Sequence, residues 1–221
     1  MQAIIDFISL KIISPFKWDR IKFLITGRYY NLTAEDRDQA REIMAHGNFI
    51  WVSRRRTHLT SYLISFADWA LSLWVWVRAK FKGPRPKWGY WTHAFLNVSS
   101  SKFIEAVSKG VSEAHFDEAL NVDAVAVLVP AFVTADEWDE VSAQVVAKAR
   151  AQLGKKYDTV FNIADDNEVS CIELMRVVLQ EVPEYEMKFK AFEETIKLYK
   201  NVTPEMLYQS KSFTVLWEVR R

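Results

Sequence analysis

The chain has 221 residues, 50% of them hydrophobic and 14% aromatic, with 29 basic and 28 acidic side chains and a net charge of +1. That length supports one substantial core, and the charge balance supplies no global field to gather nucleic acid, so no nucleic-acid partner is expected. A single cysteine excludes an internal disulfide framework, and four scattered histidines with no Cys/His cluster predict no metal site and no cofactor.

From the start of the chain, Ile4, Ile5, Ile8 and Ile12 recur at helical spacing, and residues 17–25 repeat the pattern after Pro15. Asp6 and Lys11 interrupt the apolar run and no basic leader precedes it, so no export signal is expected. Thr33-Ala34-Glu35-Asp36 predicts an N-cap with acids in the first turn of a helix running to Ala45 and stopping at Gly47. Residues 1–46 thus read as a helical N-terminal extension, with the domain proper over 47–221.

A short β-prone run at 48–52 leads into the basic triplet Arg54-Arg55-Arg56 and then a helical pattern from Thr60 to Phe81, ended by Gly83-Pro84-Arg85-Pro86. The longest apolar stretch, Tyr62–Val77, is broken by Asp68 and falls short of the roughly 18 residues of a membrane span. A cytoplasmic or peripherally membrane-associated protein is expected. Trp88–Val98 and Lys102–Val107 read as a hairpin around Ser99-Ser100-Ser101, with His93 in mid-strand and His115 in a later loop. Ala124–Val129 suits a central strand. Thr134 caps a helix that runs to Leu153 and ends at Gly154; residues 157–163 form a strand or loop. A helix opens at Cys171, another spans 189–199, and Phe213–Val219 closes the sheet. The layered result is α+β, an antiparallel sheet of about five strands with the Cys171 helix packed on one face.

Cys171 stands where a polar loop turns into an amphipathic run. A helix start favours thiolate over thiol, and its unpaired N–H groups can hold an oxyanion. A nucleophilic sulfur needs a base and a group to orient that base. His93 in a rigid strand and Glu105 across the turn are the best-placed pair, and a tight turn around Ser99 sets them directly opposite, with β-carbons about 5 Å apart. The same spacing also fits a surface glutamate on an edge strand and a core histidine bonded to backbone.

His93, the Phe103-Ile104-Glu105-Ala106 strand leading to Gly110-Val111, Gly154-Lys155-Lys156-Tyr157-Asp158, the Cys-x-Glu-Leu start at Cys171 and the Thr203-Pro204 segment occur in an order that resembles the permuted papain-like cysteine hydrolases of the YiiX/YaeF kind, relatives of the NlpC-type amidases. The resemblance covers roughly residues 47–219. It implies a circularly permuted papain-like fold and a triad of Cys171 as nucleophile, His93 as general base and Glu105 as its orienter. It also implies that Tyr157 lines the site or assists the oxyanion, although a packed core tyrosine fits as well. Glu173 matches the family's glutamate, with capping and chemistry both open. Gly47-Asn48, Thr92-His93 and Ile172 depart from the family's usual residues without touching the triad.

The function expected is a cysteine hydrolase or acyltransferase acting on an amide, ester or thioester of a small-molecule, peptide or lipid substrate, without a cofactor. Trp88 and Trp91, beside the histidine, are the expected substrate contacts. The alternative is a non-catalytic member of the fold that binds lipid, membrane or protein. The aromatic helix over 60–81, with Phe66, Trp69, Trp74 and Trp76 followed by Lys80, Lys82, Arg85 and Lys87, is open to three readings: burial in the core, peripheral membrane contact, or a homodimer interface.

Overall fold

Thr33 begins the first helix by a reciprocal cap: its hydroxyl accepts the Asp36 N–H at 3.2 Å while the Asp36 carboxylate accepts the Thr33 N–H at 2.8 Å. Helix α1 (Ala34–Ala45) then runs to its C-cap at His46. The computed structural model describes residues 32–54, 64–66, 69–70, 73–74, 76–77, 89–131, 134–158, 167–180 and 203–220. The sequence-predicted helices over 3–13, 17–25 and 189–199, together with Arg55, Arg56, His58 and Trp88, lie outside those residues.

Among the described residues six strands follow: β1 (Ile50–Arg54), β2 (His93–Asn97), β3 (Lys102–Val107), β4 (Gly110–His115), β5 (Ala124–Pro130) and β6 (Phe213–Arg220). They form one antiparallel sheet in the order β4-β3-β2-β1-β5-β6. Between them lie the short α2 (Phe116–Ala119), α3 (Ala135–Ala151), α4 (Cys171–Gln180) and α5 (Pro204–Gln209). Thr134 caps α3 through Glu137, and Thr203 caps α5 with Pro204 in its first turn.

Alternating residues of β1, β2 and β3 project to opposite faces. Trp51, Phe95 and Phe103 on one face and Ile50, Leu96 and Ile104 on the other are all fully buried, so both faces of the central sheet are covered. Each such side chain contributes about 1.5–3 kcal/mol by leaving water. Trp51 meets Phe103 edge-on at 5.4 Å between centroids, and Phe95 meets Phe103 at 5.0 Å. Asn97 supplies the polar pin of this core. Its carbonyl accepts the Phe49 N–H at 2.6 Å and the Trp51 indole N–H at 2.9 Å, and its amide donates to the Gly47 carbonyl at 2.8 Å.

Leu32, ahead of α1, and Ala40 and Met44 of α1 join the same core, and the Leu32 N–H donates to the Val122 carbonyl at 3.2 Å. Three sequence expectations need correction. Gly110–His115 forms a sixth strand, which makes His115 the last residue of β4 rather than part of a loop. His93 opens β2 instead of sitting in its middle. The hairpin loop closes with the Val98 N–H donating to the Lys102 carbonyl at 2.9 Å, which centres the turn on Ser100 and places Phe95, not His93, opposite Glu105.

Candidate active site

The sulfur is set by the start of α4. Ser170 and Glu173 cap that start reciprocally: the Ser170 N–H donates to Glu173 Oε2 at 2.8 Å, and the Glu173 N–H donates to Ser170 Oγ at 3.4 Å. Cys171 is the first helical residue, 2% exposed, and Ile172, Leu174, Met175, Val178 and Leu179 bury the rest of the apolar face against the core. The cap leaves the N–H groups of Cys171 and Ile172 in a first turn that has no intrahelical acceptor for them, pointing where negative charge on the sulfur side is favoured.

His93 and Glu105 are diagonal neighbours on one face of β2 and β3, two residues off direct opposition. Diagonal positions lie about 7–8 Å apart, a gap that a ring and a long carboxylate arm can close. They do close it: His93 Nε2 is 2.8 Å from Glu105 Oε2. The imidazole stacks on Phe95 at 5.4 Å and 22° between planes, which fixes its orientation. Glu105 is 5% exposed, and the histidine side chain keeps a quarter of its surface open.

Beside Glu105, the Cys171 side chain is the other group that acts on the ring. Burial by itself lowers the His93 pKa. The hydrogen bonds to Cys171 and Glu105 and their charges more than offset that, and the imidazole is pushed up to about 9. The ring is thus held protonated between an acidic oxygen and a sulfur.

Tyr157 is buried near the same group. Burial, then the charges of Cys171, Glu173 and Asp158, raise its phenol well above the ordinary value. The segment that carries it is locked by backbone: the Val111 N–H donates to the Lys155 carbonyl at 2.9 Å and the Val169 N–H to the Lys156 carbonyl at 2.8 Å. Gly110, at φ +106°, makes this approach feasible, because a Cβ there would stand 2.5 Å from the Lys155 carbonyl oxygen.

Trp91, expected as a substrate contact, is 1% exposed with its ring 5.2 Å from Tyr208 and beneath Arg220. It packs the core behind β2 rather than presenting a surface, since the Glu205 carboxylate accepts both the Tyr90 and Trp91 N–H groups and holds this strand entry against α5. Asp158 was visible in the sequence only as part of a motif, yet the chain buries it to 2% beside Glu173. Its partner stands fifteen positions further along, a separation no local pattern reveals.

The fold and the site define an α+β protein with a cysteine, a histidine and two kinds of carboxylate gathered where a helix start meets an antiparallel sheet. The chain shares its fold with the crystal structure of the metalloprotein YiiX from Escherichia coli O157:H7, at a TM-score of 0.51 and 15% identity, over 79% of this chain and 97% of that one. No family model matches the chain, and no curated protein does. Among the described residues no group of three or more His, Cys, Asp or Glu side chains could hold a metal ion.

Proposed function

We propose that the chain is a permuted papain-like cysteine hydrolase or acyltransferase of the NlpC-type lineage. The observation that carries this reading is the pairing of His93 with Glu105 at 2.8 Å, together with the Cys171 side chain among the groups that raise the imidazole's pKa, from three separate elements. Cys171 Sγ attacks the carbonyl carbon of an amide, ester or thioester, and the carbonyl electron pair moves to oxygen. The Cys171 N–H and the Tyr157 hydroxyl are the donors nearest that developing oxyanion. The imidazolium of His93 then gives its proton to the leaving amine, alcohol or thiol as the tetrahedral species collapses to an acyl-enzyme. His93, now neutral, takes a proton from water or from an acceptor amine or hydroxyl, which attacks the thioester and frees Cys171. Glu105 holds the ring's tautomer and orientation throughout.

Thiol-directed labelling at pH 6–7 tests this. The native chain is expected to react rapidly at Cys171, and His93→Ala slowly. Unchanged labelling in His93→Ala would falsify the triad assignment. Incubation with thioester and ester substrates, followed by intact-mass measurement, is expected to reveal an acyl adduct on Cys171.

A second reading is a non-catalytic lipid- or protein-binding role, favoured by the helical residues Phe66, Trp74 and Val77, which are 48%, 51% and 50% exposed. Among the described residues no helix is long and apolar enough to cross a membrane. Sedimentation with and without anionic vesicles, for the native chain and for Trp74→Ser/Val77→Ser, separates the outcomes. Vesicle binding lost in the variant supports a lipid surface, loss of dimers supports self-association, and unchanged monomers in every sample remove this reading.

A further inference from the structure

His93 opens β2 at a point where the sheet supports it on one side only. Among the described residues, pairing between β2 and β3 runs from Phe95 opposite Glu105 to Asn97 opposite Phe103, so no ladder bond at His93 sets how closely the ring approaches Glu105. On the other side His93 faces Ser53, and the Thr92 N–H donates to the Ser53 carbonyl at 3.0 Å. The chain ahead of it, residues 89–91, runs past the end of the ladder, and side chains hold its backbone groups. Glu205 Oε2 accepts the Tyr90 N–H at 2.6 Å and the Trp91 N–H at 2.9 Å, while Arg54 Nη1 donates to the Gly89 carbonyl at 3.3 Å and the Tyr90 carbonyl at 2.7 Å. One carboxylate and one guanidinium stand in for a neighbouring strand. We infer that Glu205, with Arg54, is a positioning residue for His93: it pins the chain two residues ahead of the ring and so sets the distance from which the imidazole reaches Glu105.

The anchor is itself held on every side the structure describes. Thr203 caps α5 and Pro204 opens it, which puts Glu205 in the first turn, and Glu205 Oε1 accepts the Gln209 side-chain amide at 2.6 Å. Both carboxylate oxygens are thus engaged, and bonds to an ionised acceptor are shorter and stronger than neutral ones. Tyr208, on the same helix, donates to Glu218 at 2.6 Å and accepts from Arg220 Nη2 at 2.8 Å, which ties α5 to β6. The register sets Arg54, Ala124 and Arg220 side by side across β1, β5 and β6, and both guanidiniums lie over the Tyr90 ring, 4.9 Å and 4.8 Å from its centroid. Tyr90 is therefore fixed through its backbone and through its ring. The placement of His93 against Glu105 stands on this geometry alone; its consequence for Cys171 rests on the hydrolase reading.

Two readouts on the whole chain test the inference. Magnetic resonance titration of the histidine rings, with the His93 signal assigned by its absence in His93→Gln, is expected to give the raised value of about 9 in the native chain, which Glu105 and Cys171 bring about. In Glu205→Ala the value is expected to fall toward the ordinary 6.5 as the ring loses Glu105. In Glu205→Gln, whose carbonyl still accepts both N–H groups, the native value is expected to return. A merely structural role lowers the Tm of Glu205→Ala and leaves the titration in place, and that result overturns the proposal. If Glu205→Ala fails to fold, Arg54→Met, which releases the Gly89 and Tyr90 carbonyls, serves the same comparison, and an unchanged titration there overturns it equally. The second readout is alkylation of Cys171 at pH 7, expected to slow by about 10–10²-fold in Glu205→Ala, the usual effect of a catalytic group displaced by about 1 Å, and to recover in Glu205→Gln. Alkylation that ignores Glu205 while the His93 titration follows it counts against the hydrolase reading, not against the positioning.

Discussion

Two buried carboxylates flank the one sulfur, and the protein neutralises them differently. Glu105 on β3 faces a cation, the imidazolium of His93, whereas Glu173 on α4 accepts the Ser170 N–H and caps its own helix start, and burial raises its pKa. The first solution uses a carboxylate to hold a base. The second uses a carboxylate to fix the helix start that carries the sulfur. Burial forces a partner in both regions, and the identity of the partner decides whether the carboxylate orients a ring or a backbone.

The sharpest way to break this contrast is at the relay. His93→Ala is expected to slow acyl-enzyme formation by about 10²–10⁴-fold, the usual contribution of a positioned base, in a stopped-flow assay with an activated thioester. A smaller loss would place the reactivity in the helix start rather than in the ring. Next in size is pH dependence. The folded pKa of His93 is raised to about 9, so its stabilising contribution is complete below about 6.5 and is lost as pH rises through about 9. That window corresponds to on the order of 3 kcal/mol as an upper bound. Chemical denaturation from pH 6 to 10 measures it, and His93→Gln is expected to flatten that part of the profile.

Removing the anionic partner has a comparable but smaller effect. Glu105→Ala is expected to cost about 1.5–3 kcal/mol of stability, as for a hydrogen bond to a charged group, with the largest difference at neutral pH and little at pH 10. The close approach of β4 to the Tyr157 segment is tested by Gly110→Ala. The added methyl meets the Lys155 carbonyl oxygen at 2.5 Å at a positive φ, and a loss of about 1–3 kcal/mol is expected together with a changed environment at Tyr157, read by its ultraviolet titration. The smallest effect is expected at the exposed Trp74 and Val77, whose polar replacement is expected to stay within about 0.5 kcal/mol of the native stability.

Helix starts were the most legible part of the chain. Thr33 and Thr134 cap helices through contacts only three residues long, so the local sequence contains the whole interaction. The apolar run of β5 and the hairpin of β2 and β3 were legible for the same reason. β4 was not, because Gly110-Val111-Ser112-Glu113-Ala114-His115 has little intrinsic β-propensity and is extended by its pairing with β3. The register of the hairpin depended on a three-serine turn with no preferred centre, and a one-residue shift of that centre moved His93 from opposite Glu105 to its diagonal.

By itself the sequence determined which side chains had chemistry to offer and which faces of each helix and strand would be apolar, since both follow from residue type and a period of two or 3.6. Only the tertiary structure decided that His93 meets Glu105 and that Trp91 is enclosed by Tyr208 and Arg220. Those outcomes join residues 12 to 129 positions apart, and their energies arise from desolvation and contact that exist only after the chain has closed around them.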